Sequence, residues 1–407
     1  MAAPRMAPPE TMSRRLTFLF AVAAGAAIGN LYWAQPILGF IAGDLRAATA
    51  TAGWLVTATQ VGYAVGVLLL VPLGDVLDRR RFVPVMLLTS AVALLLCALA
   101  PSIGMLLLAL GILGVTTISG QVLTPLAGDL ASDAHRGRVV GVVGSGTLTG
   151  ILASRTISGF VAGAAGWRTI FALAAVVAVL LAVLLYRAIP PLAPRTRMSY
   201  PALIASVGTV VMHERAVRWT LVLAAIGFAV FSLLWTALTF LLSGPPFEYP
   251  VPMIGVFGLA GLASALVVQH AGRLHDRGWS LPATGAAWIL ALGAFVVAAF
   301  AGRSVVLVVI VIVMIDVALQ AQALLNRARL FAVSHEARSR LNTALGTGNF
   351  IGGAIGSAAA TVLWSAGGWT AVTMAGAALC CFALAVWTLG RRGPLVTRLA
   401  DRPKALP

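Results

Sequence analysis

Two charged residues, Arg155 and Asp316, lie inside long apolar segments of this 407-residue sequence. A charge in such surroundings is costly, so it is expected to face a cavity or a partner of opposite charge. Arg155 could bind an anionic group of a small molecule or pair with a carboxylate. Two alternatives require no ligand. Arg155 could form a fixed structural ion pair, or it could lie near the edge of the apolar layer, where its side chain reaches water.

Asp316 belongs to a polar stripe at helical spacing. At 100° per residue, one helix face carries Asp316, Gln320, Ala323 and Arg327. A buried carboxylate near an arginine can take up and release a proton as its surroundings change. Asp316 is therefore a candidate proton-coupling residue, and Gln320 a candidate substrate contact. The alternative is a structural aspartate held by hydrogen bonds to neighbouring helices.

Other polar and aromatic side chains of the apolar segments could line the same cavity. Aromatic rings and amides suit amphiphilic or aromatic solutes. Ordinary packing between helices would use the same residue types. The candidates are Asn30, Tyr32, Trp33, Gln35, Gln121, Phe231, Trp235 and Asn326.

No enzymatic arrangement is indicated. The five histidines lie in or beside loops, and the three cysteines lie in apolar segments without metal-ligand spacing. No glycine-rich loop of the ATP-binding type occurs. We therefore expect no catalytic residue, no metal, no cofactor and no enzyme activity.

The composition indicates that lipid is the main solvent of the chain. Sixty per cent of the residues are apolar and 10% are charged, whereas soluble domains carry about 25% charged residues. The net charge of +16 comes in short clusters between apolar segments. Such clusters argue against nucleic-acid binding and are typical of membrane orientation signals.

Segments of about 20 apolar residues are long enough to cross a bilayer. On this basis the sequence predicts an all-α membrane protein with twelve transmembrane helices. The predicted spans are Leu16–Phe40, Gly53–Leu73, Phe82–Ala100, Met105–Leu126, Val139–Ala162, Thr169–Ile189, Trp219–Leu242, Pro252–Gln269, Leu281–Ala301, Val305–Leu325, Leu341–Trp364 and Trp369–Leu389.

The basic residues fix the expected orientation. Of the 28 lysines and arginines, only Arg46, Arg168 and Arg303 fall in predicted outer loops, and Arg155 lies within a span. Cytoplasmic loops carry the excess of positive charge. We therefore expect both termini, a disordered segment 1–15 and a tail 390–407, in the cytoplasm, with the spans in the cytoplasmic membrane.

Landmarks recur between the two halves of the sequence. A proline- and arginine-containing stretch, residues 190–218, separates the first six spans from the last six and is expected to be a cytoplasmic linker. Residues 16–189 and 219–389 would then form two pseudo-symmetric six-helix bundles, with a site near the midplane between them. The landmarks that recur at nearly the same offset are Asp75 and Asp276, Arg136-Gly-Arg138 and Arg338-Ser-Arg340, and Gly166-Trp167 and Gly368-Trp369.

The loop segments resemble those of the major facilitator superfamily. Pro72–Arg81 is similar to the family's signature between spans two and three, and Gly272–Gly278 to its weaker second copy. Asn30–Pro36 and Glu336–Thr343 resemble a bacterial subgroup of transporters. The resemblance implies the major facilitator fold and transport by alternating access, and it names no substrate.

The resemblance also implies a conformational latch. An aspartate at the end of the second span can accept charge-assisted hydrogen bonds from arginines, which would close the cytoplasmic side in one state and break in the other. Val76 and Asp78 depart from the family's usual basic residue and glycine. The alternative is a basic cluster that sets topology alone. The latch residues are Asp75, Arg79, Arg80, Asp276 and Arg277.

Glycines at four-residue spacing in spans five and eleven are expected to let helices approach closely. The family's drug/proton antiporters usually carry a Gly-Pro signature in span five. Here that proline is missing and Arg155 stands nearby, which weakens the antiporter assignment. The glycines are Gly146, Gly150 and Gly159, and Gly348, Gly352 and Gly356.

The expected function is secondary active transport of a small solute, with proton-coupled efflux of amphiphilic compounds as the first hypothesis. Uptake or exchange of a small organic anion anchored by Arg155 is the alternative. A membrane sensor or membrane enzyme is a third class, which the short loops disfavour. The expected partners are membrane lipid, the substrate and protons, with the chain acting as a monomer.

Overall fold

The computed structural model of the chain describes residues 12–132, 134–192, 196, 198–261, 279–334 and 337–395. Within these residues the regular structure is helical throughout. The helices are α1 Arg14–Gly29, α2 Leu38–Asp44, α3 Thr49–Leu69, α4 Leu73–Val76, α5 Arg79–Ala98, α6 Ile103–Thr116, α7 Ser119–Leu130, α8 Arg136–Ala165, α9 Trp167–Ala188, α10 Tyr200–His213, α11 Arg215–Ser243, α12 Val251–Val256, α13 Ser280–Phe300, α14 Val305–Val333 and α15 Arg338–Gly390.

Nine helices in the described part of the chain are long and apolar enough to cross a membrane. One of them, α15, has 53 residues and a break at Gly367–Gly368. At 1.5 Å per residue it is about 80 Å long, enough for two crossings of a 30 Å core. The predicted eighth span, Pro252–Gln269, is described only as far as residue 261. The structure is consistent with twelve spans.

The first span is a broken helix. The α1 helix ends at Gly29, and a short 3₁₀ turn, Gln35–Ile37, precedes α2. Pro36 has no backbone N–H and disfavours helical geometry in the residue before it. The span predicted from Leu16 to Phe40 therefore corresponds to two helices that end at Asp44. The break between these helices was not predicted.

The predicted linker contains a helix. Within residues 190–218 the α10 helix buries Leu203, Val207 and Val210. Their spacing of three and four residues places them on one face. That face lies against α11 and α15. The linker is therefore partly an ordered amphipathic helix that covers the beginning of the second half.

The repeated Gly-Trp pair makes the same turn in both halves. Gly166 has φ 85° and Gly368 has φ 58°, a left-handed conformation that glycine adopts without the cost of a Cβ atom. The tryptophan that follows donates its indole N–H in each case, Trp167 to Asp44 Oδ2 at 2.9 Å and Trp369 to the Ala298 carbonyl at 2.7 Å. The duplicated sequence landmark is thus a duplicated structural corner.

At the first of these corners Asp44 closes a small polar cluster. Hydrogen bonds from Arg168, at 2.5 Å, and from Trp167 hold the pKa of the Asp44 carboxyl below its usual range. A second hydrogen bond joins Arg168 to the Ala100 carbonyl at 3.1 Å. The cluster therefore connects the loops after α2, α5 and α8 at one face of the protein.

The two halves meet along two helix pairs, and each pair has one helix from each half. On one side α3 lies against α15, where Thr57 and Ser357 share a hydrogen bond of 2.9 Å, and Gln60 Nε2 of α3 donates to Ser232 Oγ of α11 at 2.9 Å. On the other side α8 lies against α12. Apolar clusters fill each half behind these seams. The space between the halves is therefore bounded by two packed seams.

Most of the predicted glycines lie where helix backbones touch. A Cβ atom on Gly150 would lie 2.2 Å from the Gly25 carbonyl oxygen, and one on Gly352 would lie 2.0 Å from that of Ala225. A Cβ atom on Gly146, Gly159 or Gly356 would likewise lie within 2.8 Å of a backbone oxygen. Gly348 differs from its prediction, because its nearest neighbour, Leu221, is 4.0 Å away. The small residues bring α1 against α8, and α11 against α15.

Gly150→Leu is expected to destabilise the protein by about 1–3 kcal/mol, because its side chain must displace the α1 backbone. Thermal denaturation in detergent, monitored by the retention of a monodisperse peak, measures the change. Gly141→Leu on the same helix is the matched control, since a Cβ there has no atom within 4 Å. Equal stability of the two variants would contradict the close approach of α1 and α8.

Candidate functional site

A cavity lies between the two halves. It encloses about 890 Å³ of space, part of it open to solvent, and is lined by residues of α8, α11, α14 and α15 together with Tyr32. Most of its wall is apolar or aromatic, and its ionisable side chains are Arg155, Asp316, Arg327 and Tyr32. The two charged residues singled out from the sequence thus line one cavity.

Arg155 is held at the deep end of the cavity by aromatic rings. Its guanidinium carbon lies 4.0 Å from the ring centroid of Trp235, 4.9 Å from that of Tyr32 and 5.4 Å from that of Phe231. Its Nε donates to Gln35 Oε1 at 3.1 Å. Such cation–π contacts hold a guanidinium in place without neutralising its charge. The positive charge of Arg155 therefore remains available to a ligand.

One nitrogen of Arg155 has no partner. The residue is 2% exposed, and its Nη2 makes no hydrogen bond within the described part of the chain. None of the ion pairs between described residues joins Arg155 to Asp316. A buried guanidinium N–H without an acceptor is costly, so an anionic or polar ligand group at this point would stabilise the site.

Arg155 also lies between this cavity and a smaller one. The smaller cavity, of about 250 Å³, is lined by Arg155, Trp235, Gln35, Leu238, Ile254 and their neighbours. It lies toward the end of α11 that leads to Ser243, away from the large cavity. Arg155 therefore lines both cavities, whereas Trp235 lines the smaller one.

Asp316 contacts the same tryptophan. It lies in the second half of the chain, as Trp235 does, whereas Arg155 lies in the first half. Trp235 Nε1 donates to Asp316 Oδ1 at 3.4 Å, and Asp316 is 5% exposed. The indole thus contacts the guanidinium of Arg155 with its ring and the carboxylate of Asp316 with its N–H. Trp235 links the two charges, which sequence analysis placed only on separate helices.

The stripe on α14 follows the depth of the cavity. Asp316 is buried, Gln320 is half-buried, and Ala323 and Arg327 are exposed, while all four line the cavity. The opening therefore lies toward the C-terminal end of α14. Helices that alternate in direction place this end of α14 at the same face as the beginning of α1.

The polar residues after α1 divide between the cavity and the packing of the bundle. Tyr32 lines the cavity and Gln35 holds Arg155. Asn30 Nδ2 donates to Thr117 Oγ1 at 3.0 Å, and Trp33 Nε1 donates to Asn30 Oδ1 at 2.9 Å. The side chains of Asn30 and Trp33 are thus engaged with each other and with α6, and neither lines the cavity.

Of two further candidates, Gln121 and Asn326, only Asn326 lines the cavity. Gln121 forms a side-chain hydrogen bond with Tyr63 and does not line the cavity. Asn326 lines the cavity near its opening, and its Oδ1 accepts a hydrogen bond from Arg329 at 3.4 Å. Of the predicted substrate contacts, Tyr32, Phe231, Gln320 and Asn326 therefore line the cavity with Arg155 and Asp316.

The described latch residues, Asp75 in α4 and Arg79 and Arg80 at the start of α5, have partners beyond those expected. Arg79 forms an ion pair of 2.6 Å with Asp129 at the end of α7. Arg80 Nε donates to the Tyr186 carbonyl at 3.4 Å, and its guanidinium lies 5.3 Å from the Tyr186 ring centroid. Ser339 donates to Asp75 Oδ2 at 2.7 Å across the two halves. Asp276 and Arg277 lie outside the described residues.

Several residues of this region were missed in the sequence. Asp129 had no recognised role, and Gln322, Arg329 and Asn349 were not singled out. Gln322, Asn326 and Arg329 are spaced by four and three residues and so form a polar helix face beside the stripe of Asp316. Their buried state, 1% to 3% exposed, is the property that a sequence pattern alone did not reveal.

Comparisons with known proteins identify the family. The sequence model of the Major Facilitator Superfamily matches residues 17–328. The uncharacterized transporter YgaY of Escherichia coli O157:H7 is 39% identical over 383 residues, which is 94% of this chain and 97% of that protein.

Solved structures show the same fold. A bacterial homologue of the human lysosomal transporter Spinster, in an inward-facing occupied conformation, matches with a TM-score of 0.73 and 15% identity over 95% of this chain and 98% of its own. The human organic anion transporter MFSD10 matches with a TM-score of 0.69 and 17% identity over 94% of this chain and 100% of its own. The helical bundle, the cavity between its halves and the related sequences together make this chain a multi-pass membrane transporter of the major facilitator superfamily.

Proposed function

We propose that this transporter moves a small amphiphilic organic anion and binds the anionic group of that solute at Arg155. The observation that supports this proposal most directly is the unpartnered Nη2 of Arg155 at the deep end of a cavity between the two halves. Secondary transporters of this architecture bind their substrates near the midplane and expose the site to each side in turn.

The charges of the cavity wall favour an anion. The wall carries Arg155 and Arg327 against the single carboxylate of Asp316, so its net charge is positive even when Asp316 is ionised. In a cavity of low dielectric constant this excess is a substantial attraction for a negative group. A cation would have to displace or outweigh Arg155.

The rest of the wall favours an apolar or aromatic body on that anion. Phe228 and Phe231 line the cavity with ring centroids 5.6 Å apart, and Phe231 lies 6.3 Å from Trp235. Aromatic rings offer flat apolar surface and bind planar solutes by offset stacking. A carboxylate or sulfonate attached to an aromatic or aliphatic body would satisfy both parts of the wall.

Proton-coupled export of amphiphilic compounds is the second candidate, and Asp316 is the observation in its favour. Asp316 is buried, lines the cavity and has one hydrogen-bond donor, Trp235. A carboxyl group in such a position can hold a proton in one state of the cycle and release it in the other. Proton coupling is compatible with either direction of transport.

Orientation is part of the proposal. The basic clusters favour a cytoplasmic location for the face at which α1 begins, in the cytoplasmic membrane of a bacterial cell. The cavity opens toward that face, so the described conformation would be open to the cytoplasm. The seam of α8 and α12, where Thr156 donates to the Gly255 carbonyl at 3.0 Å, would then close the outer side.

The test compares three solutes of nearly equal size in proteoliposomes: 2-naphthalenesulfonate, 2-naphthalenemethanol and 2-naphthyltrimethylammonium. We expect protein-dependent counterflow for the sulfonate and none above empty liposomes for the other two. Counterflow of the ammonium compound instead would reject anion transport and favour export of cationic amphiphiles. Absence of counterflow for all three would contradict the proposed match between the cavity and a naphthalene-sized solute.

A further inference from the structure

A second group of polar residues lies on α14 near the opening of the cavity. Gln322 and Asn326 line the cavity, and Arg329 lies one turn further along the helix. Gln322 Nε2 donates to the Thr284 carbonyl at 2.7 Å, and Arg329 Nη2 donates to Thr284 Oγ1 at 3.0 Å. Thr284 of α13 therefore fixes both ends of this group.

Arg329 is a buried cation. It is 3% exposed, and no carboxylate in the described part of the chain forms an ion pair with it. Its hydrogen bonds go to neutral oxygens, those of Thr284 and Asn326. Burying a charge without a counter-charge is costly, and the cost falls when an anion binds nearby.

Arg329 also orients Asn326. Because Asn326 Oδ1 accepts from Arg329 Nη1 at 3.4 Å, its Nδ2 points away from that guanidinium. No described residue accepts a hydrogen bond from Nδ2, and Asn326 lines the cavity. The amide N–H groups of Asn326 are thus available as donors to a ligand in the cavity.

A second cation, Arg327, follows Asn326 in the sequence and lines the same cavity. Arg327 is exposed at the opening of the cavity and forms no ion pair among the described residues. It lies 11 residues after Asp316, which is about 16 Å along an α-helix. Arg155 contacts the tryptophan that hydrogen-bonds Asp316, so Arg327 lies about three helical turns from the level of Arg155, further than one small anionic group spans.

Gln322 gives independent support for a ligand here. It is 2% exposed and lines the cavity, and its Oε1 has no hydrogen-bond partner among the described residues. A buried amide oxygen without a donor is costly. A hydrated anion could supply that donor through its water.

We propose that Asn326 and Arg327 form a second anion-binding subsite, here called the mouth subsite, which Arg329 maintains as a positioning residue by holding Asn326. The ligand is the carboxylate or sulfonate group of the same organic anion, so the inference rests on the proposed function. The anion would bind first at the mouth subsite and then move to Arg155. At high concentration both subsites would be filled.

The experiment measures equilibrium binding of 2-naphthalenesulfonate, whose charge is independent of pH, to the full chain in lipid nanodiscs. The wild-type protein should bind two molecules, and Arg327→Gln should bind one, with unchanged affinity at the remaining site. Arg155→Gln should also bind one, at the mouth subsite. Arg303→Gln, a charge removed at the opposite face, should still bind two.

Arg329 is tested by transport kinetics. Arg329→Gln should raise KM for 2-naphthalenesulfonate about tenfold with little change in kcat, the loss of about one charge-assisted interaction, and Arg329→Lys should restore part of it. A merely structural role would lower the amount of folded protein and kcat instead, and would overturn the positioning role.

The outcomes separate the two proposals. One bound molecule in the wild-type protein, or two in Arg327→Gln, would overturn the mouth subsite and leave Arg155 as the anion site. Two bound molecules in Arg155→Gln would overturn the proposed function. No binding by the wild-type protein would overturn both.

Discussion

Replacing Arg155 by alanine is expected to weaken the binding of an organic anion at the deep end of the cavity strongly. The substitution removes the guanidinium that lies over Trp235 and Tyr32 and so removes the positive charge. A hydrogen bond to a charged group contributes about 1.5–3 kcal/mol, so affinity should fall roughly 10- to 100-fold. Binding of 2-naphthalenesulfonate, monitored by quenching of tryptophan fluorescence, measures the change.

Two variants show whether the effect is one of charge. Arg155→Lys keeps the charge and loses the planar fork that binds an oxyanion with two N–H groups, so it should retain part of the affinity. Arg303→Ala removes an arginine from the turn between α13 and α14 and should bind like the wild-type protein. If a folded Arg155→Ala protein bound 2-naphthalenesulfonate with wild-type affinity, Arg155 would serve packing and not binding. Its role would then be its contacts with Gln35 and the aromatic rings.

Much of the architecture could be predicted because lipid restricts the choice of structure. Backbone groups inside a bilayer must be bonded within their own segment, so each long apolar segment becomes a helix. The glycines at four-residue spacing likewise predicted contact between helices: a Cβ atom on Gly150 or Gly352 would meet the backbone of a neighbouring helix, and one on Gly348 would not. At Gly348 the spacing continues although the neighbouring helix has diverged, because helices that cross at an angle touch over a few turns only.

The composition of the site was harder to predict than the spans. Arg155 and Asp316 stood out because a charge in an apolar segment is rare. Trp235 did not stand out as their common partner, because tryptophan is common in membrane proteins and its neighbours depend on tertiary packing. Arg329 lies close to a predicted loop, where an arginine is normally exposed, and only the structure shows that α13 covers it.

If the proposed anion binds at Arg155, its charge sets the sign of its coupling to a proton on Asp316. The anion and an ionised Asp316 would repel each other across Trp235, whereas a protonated Asp316 would not. Proton binding should therefore strengthen anion binding, and by linkage anion binding should strengthen proton binding to the same degree. A site in which both ligands bind together moves them in the same direction. The geometry thus favours cotransport of anion and proton over their exchange.

Asp316→Asn is accordingly expected to remove coupling while leaving the binding site intact. Asparagine resembles the protonated carboxyl in size and charge, and it can still accept a hydrogen bond from Trp235. In proteoliposomes loaded without substrate, a pH gradient should drive accumulation of 2-naphthalenesulfonate by the wild-type protein and none above equilibration by the variant. Counterflow without a gradient should continue in both, because exchange of bound anion requires no change of protonation.

The two readouts together decide the role of Asp316. Asp316→Glu, which keeps a titratable group, should restore part of the gradient-driven accumulation. Loss of counterflow together with accumulation would mean that the variant has lost its binding site or its fold rather than its proton. Gradient-driven accumulation at the wild-type level in Asp316→Asn would place the coupling proton on another group, and Asp316 would then be an aspartate that only orients Trp235 beneath Arg155.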